Sequence, residues 1–281
     1  MTKTITTYEP DNSLKKGYLS IFREIFNDFK ENWWLTYQLF KRDFLAMYKQ
    51  SFIGILWAFI IPLVSIGTFL LLNQSGVFSI GEINIPYPLY AILGMAFWQL
   101  FSIGLIASSN SLVNAGPMIV KVNFSKKSLV IASTGQSIVS FLIQFVLAIF
   151  LFVFYGIMPS IAILLVPILI IPILLLTLGL GFILSILNGI MRDIGNLISV
   201  LVTFLMFLTP VLYTRPTIGT LAHITAYNPL YYLISASREL ILRGTISEWG
   251  GFLVSGIISI LMFTMCLLVF HLTETRVTER I

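Results

Sequence analysis

Six apolar stretches, each near the length that a bilayer demands, break up the charge along this chain. They fall at about 52–72, 87–109, 129–157, 161–187, 196–213 and 250–271, and none contains Asp, Glu, Lys or Arg. A hydrocarbon core about 30 Å thick takes roughly 20 apolar residues wound as a helix. The first stretch begins abruptly. Lys41-Arg42-Asp43 and Tyr48-Lys49-Gln50-Ser51 lead straight into Phe52-Ile53-Gly54-Ile55-Leu56-Trp57, and no ionisable residue follows until Glu82. Runs such as Leu164-Leu165-Val166-Pro167-Ile168-Leu169-Ile170-Ile171 do not alternate polar with apolar, so helices are expected rather than barrel strands. The 281 residues are 57% hydrophobic and 10% charged, where soluble domains run near about a quarter charged. The class expected is an integral membrane protein.

Cys266 stands alone, so an intramolecular disulfide is excluded. Residues 1–32 hold several charges and no apolar core of secretory-signal length, so the first apolar stretch is expected to act as insertion signal and stay as a helix. Six crossings put both termini on one side. Fourteen of the seventeen Lys and Arg residues then share that side, with Arg215, Arg238 and Arg243 on the other. The positive-inside rule makes the cation-rich side cytoplasmic. The net charge of +5 is accounted for by topology and anionic headgroups, and no nucleic-acid partner is expected.

Wound as a helix, residues 33–52 place Trp33, Tyr37, Phe40, Phe44, Met47 and Tyr48 within roughly a 100° sector, with Gln38, Lys41, Arg42, Asp43, Lys49 and Gln50 elsewhere. Such a helix lies in the headgroup plane. Trp34, Leu35, Leu39 and Leu45 interrupt its polar side, which predicts contact with protein as well as lipid. An aromatic belt anchoring the first crossing and a docking surface for a cytoplasmic partner both fit. Residues 73–86 read as a short outer loop. The run 108–117 leads, past Gly116-Pro117, into an apolar-basic segment, 118–127, that suits a short surface helix or a loop. Gly181, Ser185 and Gly189 recur every four residues and predict close helix packing within the chain. Between the fifth and sixth stretches, Pro210, Pro216 and Pro229 break a segment too polar to cross and too apolar for a free loop. A pair of re-entrant helices, the second over 231–242, fits there.

No carboxylate lies inside the stretches, and the histidines, His223 and His271, fall outside them or at an end. Proton-coupled carriers usually keep an ionisable group in the membrane, so energy is expected to enter elsewhere. The dipeptide Gly-Lys never occurs, so there is no phosphate loop, and no catalytic residue or metal cluster is expected.

The run from Lys41 to Phe44, then Tyr48-Lys49-Gln50-Ser51-Phe52-Ile53-Gly54-Ile55-Leu56-Trp57-Ala58-Phe59-Ile60-Ile61-Pro62, resembles the start of ABC-2 type permeases that export polysaccharides. Ser108-Ser109-Asn110-Ser111-Leu112-Val113, Lys121-Val122-Asn123-Phe124, Met191-Arg192-Asp193-Ile194, Thr209-Pro210-Val211-Leu212-Tyr213 and Asn228-Pro229-Leu230 resemble later family motifs in the same order. The likeness runs from about Trp33 to the C-terminus. Met191 stands where Phe is usual, and the first thirty or so residues have no assignable counterpart.

The resemblance implies an all-α membrane fold: a cytoplasmic extension (1–32), an interfacial amphipathic helix (33–51) and a domain of six transmembrane helices (52–281) with a re-entrant pair between helices 5 and 6. It implies two copies working with two nucleotide-binding ATPase subunits, which would hold the ATP and magnesium, so that this chain is no enzyme and carries no cofactor or metal. Lipid-linked O-antigen, capsule-like glycan or teichoic acid would pass outward between the copies, in a bacterial or archaeal cytoplasmic membrane. Lys41, Arg42, Asp43, Asn114, Gly116, Pro117, Lys121, Phe124, Arg192 and Asp193 become candidate ATPase-coupling positions. A sliding polymer suits aromatic walls, and Trp57, Phe59, Phe204, Phe207 and Tyr213 are the candidates. Arg42 or Lys49 could meet the carrier's pyrophosphate, and Tyr227, Asn228, Pro229, Tyr231 and Tyr232 would form the outer gate. The rivals are an ABC-2 exporter of drugs or small lipids and an intramembrane scaffold or enzyme.

Overall fold

The computed structural model describes residues 18–49, 54–75, 81, 83–116 and 125–277, and all regular structure among them is helical. In chain order the helices are α1 (Tyr18–Glu31), α2 (Trp33–Lys49), α3 (Trp57–Gln74), α4 (Tyr87–Asn114), α5 (Lys126–Tyr155), α6 (Val166–Ile190), α7 (Asp193–Leu208), α8 (Thr220–Ala226), α9 (Pro229–Arg243) and α10 (Trp249–Val277), with 3-10 turns at Gly54–Leu56 and Ile161–Leu165. Four of them are long and apolar enough to cross a membrane: α4, α5, α6 with its 3-10 lead, and α10. The apolar parts of α3 and α7 are shorter. At 1.5 Å per residue, α7 reaches only about 24 Å.

That shortness corrects the expected end of the fifth stretch. Apolar sequence continues to Tyr213, but α7 stops at Leu208 and Thr209 is extended, with φ −107° and ψ 123°. Pro210 is the reason, because the residue before a proline is pushed out of the helical region. Two helices, α8 and α9, then occupy the segment read as a re-entrant pair. Asn228 caps α9 by accepting the Leu230 N–H at 3.0 Å, and Pro229 sits at its first turn.

Helix α4 is the centre. Its residues from Ala91 to Trp98 are all buried, as are Leu100, Phe101, Leu105 and Leu112, in contact with α5 and α6. Small side chains permit the approach. A Cβ on Gly104 would lie 2.7 Å from Thr177 and 2.9 Å from the Ser137 hydroxyl, and one on Gly181 would overlap the Ser108 hydroxyl. Gly181 therefore serves packing between helices of one chain, as its spacing predicted. Helix α10 closes against α6, where a Cβ on Gly179 would meet the backbone of Phe263 at 2.9 Å. The outer faces of α5, α6 and α10 expose Val153, Phe154, Ile168, Ile171, Leu261 and Met265 among others. Helices that are apolar on buried and exposed faces alike suit a lipid solvent.

The N-terminal helices pack onto one end of this bundle. Ile25 of α1 and Leu39 of α2 are buried in a cluster with Leu112, Leu129, Phe182, Ile186 and Phe270, flanked by Phe29, Leu35 and Phe40. The Phe40 ring covers Gly135 of α5, where a Cβ would be 2.6 Å away. The predicted aromatic face of α2 is thus divided. Trp33 and Tyr37 are exposed while Phe40 is spent on protein contact; of the four residues expected to meet protein, Leu35 and Leu39 do, and Trp34 and Leu45 stay exposed.

Candidate functional site

The end of the bundle where α4 stops and α5 begins gathers the candidate coupling residues. Lys41, Arg42, Asn114, Arg192 and Asp193 are exposed there, and Asp43 and Gly116 half-buried. Arg42 pairs with its neighbour Asp43, Nη2 to Oδ1 at 2.7 Å. Pro117, Lys121 and Phe124 lie outside the described residues, as does the Lys49 side chain. Arg192-Asp193 forms the reversal from α6 to α7.

A buried asparagine holds that reversal. Asn188, 1% exposed, donates through Nδ2 to the Ser109 carbonyl and to Asn110 Oδ1, both at 3.0 Å. Its Oδ1 accepts the Gly195 N–H at 2.8 Å. Gly195 is in the first turn of α7, whose leading N–H groups have no partner within the helix. The residue preceding α7, Arg192, makes no side-chain cap. Asn188 caps α7 from the neighbouring helix and ties both to α4.

A second polar knot sits beside it. The Lys127 ammonium, 2% exposed, meets Asp28 of α1 at 2.9 Å and Glu274 of α10 at 2.7 Å. Glu274 also accepts the Lys126 N–H at 2.8 Å, satisfying a leading donor of α5 and placing an anion at the positive end of that helix. The first, fifth and last helices are fastened at one point, at the start of α5.

Of the aromatic candidates, Trp57, Phe204 and Phe207 are exposed and Phe59 is half-buried. The first two are 46% and 64% exposed. Tyr213 differs: it is buried, and its hydroxyl donates to the Phe207 carbonyl at 2.5 Å. Phe204 and Phe207 share their side of α7 with Leu197, Val200 and Leu201, also exposed, while Gly195, Ile198 and Val202 face the bundle.

At the opposite end, the gate candidates form a tied structure. Asn228 Nδ2 donates to Thr209 Oγ1 at 2.8 Å, and the Tyr232 hydroxyl to the Ala226 carbonyl at 2.9 Å. Tyr227 is exposed, and Tyr231 is buried beneath the Arg215 guanidinium, 5.2 Å from its centroid. Arg215 also pairs with Glu248. Burial would lower the pKa of Arg215, but Glu248 and Tyr231 reverse this and raise it above the ordinary value. Arg238 is the surprise. The sequence placed it in an outer segment; it is 4% exposed, donates to the Val211 carbonyl at 2.9 Å, and lies 3.7 Å from the Tyr90 ring centroid. The Tyr90 hydroxyl donates to the Tyr213 carbonyl at 3.1 Å. Arg238 and Tyr90 fix the chain after α7 onto α4.

Three groups escaped the sequence: Asn188, Arg238, and Lys127 with its two carboxylates. Asn188, Lys127 and Glu274 stand at the edges of apolar stretches, which is a local hint; Arg238 and Asp28 have none. Among the described residues no group of three or more His, Cys, Asp or Glu side chains converges on a point. What the geometry offers is a buried rod, α4, gripped by polar clamps at both ends, flanked by two thinly covered apolar helices.

Comparison with known proteins gives that frame a context. The profile of the ABC-2 type transporter family matches residues 35–242. An O-antigen export system permease protein of Myxococcus xanthus is 27% identical over 210 residues, spanning 73% of this chain and 79% of that protein. Two from Klebsiella pneumoniae bearing the same description are 29% and 30% identical over the same shares.

Proposed function

The chain belongs to the ABC-2 type transporter family, and on that premise we propose that it is the permease subunit of an ATP-driven exporter of lipid-linked polysaccharide, O-antigen or a teichoic-acid-like polymer. The observation that carries this reading is the similarity to O-antigen export permeases over 73% of the chain. Two copies enclose the path, six helices each, with both termini cytoplasmic in the inner membrane. Exposed apolar faces on α3 and α7 support this, since each leaves a row of large side chains uncovered in the single chain. ATP and magnesium are held by two ATPase subunits that dock on α2, on 117–124 and on Arg192-Asp193. Trp57, Phe59, Phe204 and Phe207 face the polymer, Arg42 or Lys49 receives the carrier's pyrophosphate, and α8 and α9 gate the outer mouth. Tyr213, already committed to the Phe207 carbonyl, shapes that wall from behind.

The test is reconstitution. The chain, co-expressed with a candidate ABC-type ATPase subunit, is placed in proteoliposomes and given labelled lipid-linked glycan and ATP. ATP-dependent appearance of glycan on the far side supports the reading. Transport of an amphipathic drug or a short-chain lipid but not of glycan favours the rival exporter, and failure to bind any ATPase removes both.

A further inference from the structure

We infer that Asn188 is a positioning residue that makes the inner ends of α4 and α7 move as one piece, so that force arriving at Arg192-Asp193 reaches the channel-facing helix and is not lost in the turn. The inference rests on the export reading above and adds to it a residue with no place in any motif of the sequence. Asn188 itself is buried and touches neither the proposed ATPase face nor the polymer path.

The geometry is specific to a joint. One amide makes three bonds to two other elements: two donated to α4 and one accepted from α7. Asn110 is held in turn, its Nδ2 donating to the Ile106 carbonyl at 2.9 Å, so its oxygen is aimed at Asn188. Gly195 lets α7 come this close, since a Cβ there would lie 2.8 Å from Asn110 Oδ1 and 3.0 Å from the Asn188 amide. Beyond the joint, α7 fully buries only Ile198 and Val202 against the bundle. Its N-terminal end is therefore held by these hydrogen bonds together with Ile194, half-buried against the core. In a site shut off from water, an amide whose partners are lost has no replacement, so the joint is either made or costly to break.

The position of the joint matters as much as its strength. Four residues after Asn110, α4 ends at Asn114, an exposed candidate for ATPase contact; four residues after Asn188 comes Arg192, another. Asn114 is thus one helical turn from Asn110, and Arg192 follows Asn188 through the extended residue Met191 that ends α6, so both proposed landing sites adjoin the joint. A push on either is delivered to both helices.

Asn188→Ala removes all three bonds. Asn110→Ala removes one, and Asn110→Asp keeps the oxygen that Asn188 binds. In the reconstituted complex the quantity to measure is glycan exported per ATP hydrolysed, beside KM for ATP. Asn188→Ala is expected to lower the ratio about tenfold, the scale of a typical coupling free energy, with KM for ATP unchanged. Asn110→Ala should fall between, and Asn110→Asp, which keeps the oxygen that Asn188 binds but loses the bond to the Ile106 carbonyl that aims it, should fall between Asn110→Ala and wild type. A purely structural role would lower hydrolysis and export together and leave the ratio intact; that result overturns the inference. Should Asn188→Ala fail to assemble, a wild-type ratio in Asn110→Ala overturns it instead. A readout independent of transport uses the isolated permease with Cys266→Ser and spin labels at Asn114→Cys and Arg192→Cys. A narrow distance distribution is expected with Asn188 present and a broad one with Asn188→Ala; equal widths sink the joint while leaving the export reading untouched. Absence of ATP-driven glycan export in the unmutated complex would instead defeat the export reading, and the spin-label distances would still decide the joint.

Discussion

Lys127→Met should destabilise this protein more than any exposed charge change, and the structure gives the size. Methionine keeps the length and apolar stem of the side chain and removes only the ammonium. What it leaves behind is unequal: the Glu274 side chain is 12% exposed and that of Asp28 is 36% exposed. Asp28 can turn to water. Glu274 cannot, and it loses the cation that compensated its burial. Removing one partner of a buried ion pair costs about 3–5 kcal/mol, and the partial exposure of Asp28 argues for the lower end, about 3 kcal/mol. Asp28→Asn is milder, since Lys127 retains Glu274, and about 1 kcal/mol is expected. The combination of Lys127→Met, Asp28→Asn and Glu274→Gln buries no net charge and should recover most of the loss. Thermal unfolding of the detergent-solubilised permease reads the series. For chains of this size about 2–4 °C accompanies each kcal/mol, so Lys127→Met should lower Tm by roughly 6–12 °C. If its shift is no larger than that of Arg42→Ala, which breaks an exposed pair, then the knot contributes nothing and the reasoning from burial fails.

Other consequences are smaller in scope. Arg238→Met removes the bond to the Val211 carbonyl and the contact with Tyr90; a loss of about 2 kcal/mol and faster proteolysis within 209–219 are expected, by Tm and limited digestion. Gly181→Val forces a side chain onto Ser108, and overpacking should cost about 1–3 kcal/mol, again by Tm. Breaking the partly exposed Arg215–Glu248 pair with Arg215→Gln should cost under about 1 kcal/mol, an effect that shrinks as salt is raised. Phe204→Ala together with Phe207→Ala changes exposed positions of the single chain, so its stability should hold within about 1 kcal/mol while export by the complex falls.

The membrane class and the approximate places of the apolar stretches were legible because lipid imposes its demand on whole segments. Their ends were less so. The stretch ending at Tyr213 looks continuous, yet 209–213 is apolar because it is buried against α4, and Pro210 had already stopped the helix. Periodicity assigned Phe40 to lipid, and Gly135, 95 residues later, claimed it. The polar clamps were the least visible part. Asn188 reaches Asn110 across 78 positions, Lys127 reaches Asp28 across 99, and Glu274 reaches Lys126 across 148. A single sequence shows each as a lone polar residue near an apolar run, and a lone Asn or Lys there has many possible partners. The coupling candidates were visible only through their motifs. Of the residues that mount them on the bundle, Ser109 and Asn110 fall in a motif, while Asn188, Lys127, Asp28 and Glu274 do not.

Burial along the helices decides which parts can move without unfolding the rest. α4 is covered on nearly every face, and its glycines are filled by neighbours on α5, α6 and the loop after α7. Displacing it would open several contacts that are closer than a methyl group, so it behaves as the fixed member. α7 buries three residues and α3 two, Pro62 and Ile66, among the described side chains. For such helices, tilting costs little packing, and their position is set by what holds their ends. At the N-terminal end of α7 that is Asn188; at its C-terminal end it is the turn 209–213, which Tyr90 and Arg238 hold against α4. Both grips refer the same thinly packed helix to the same rigid rod. A displacement of α7 must therefore be either a rotation about its two clamps or a motion that breaks one of them, and loosening both clamps in one chain should cost less in stability than the sum of the single losses, because the second grip is already idle once the first has let the helix swing.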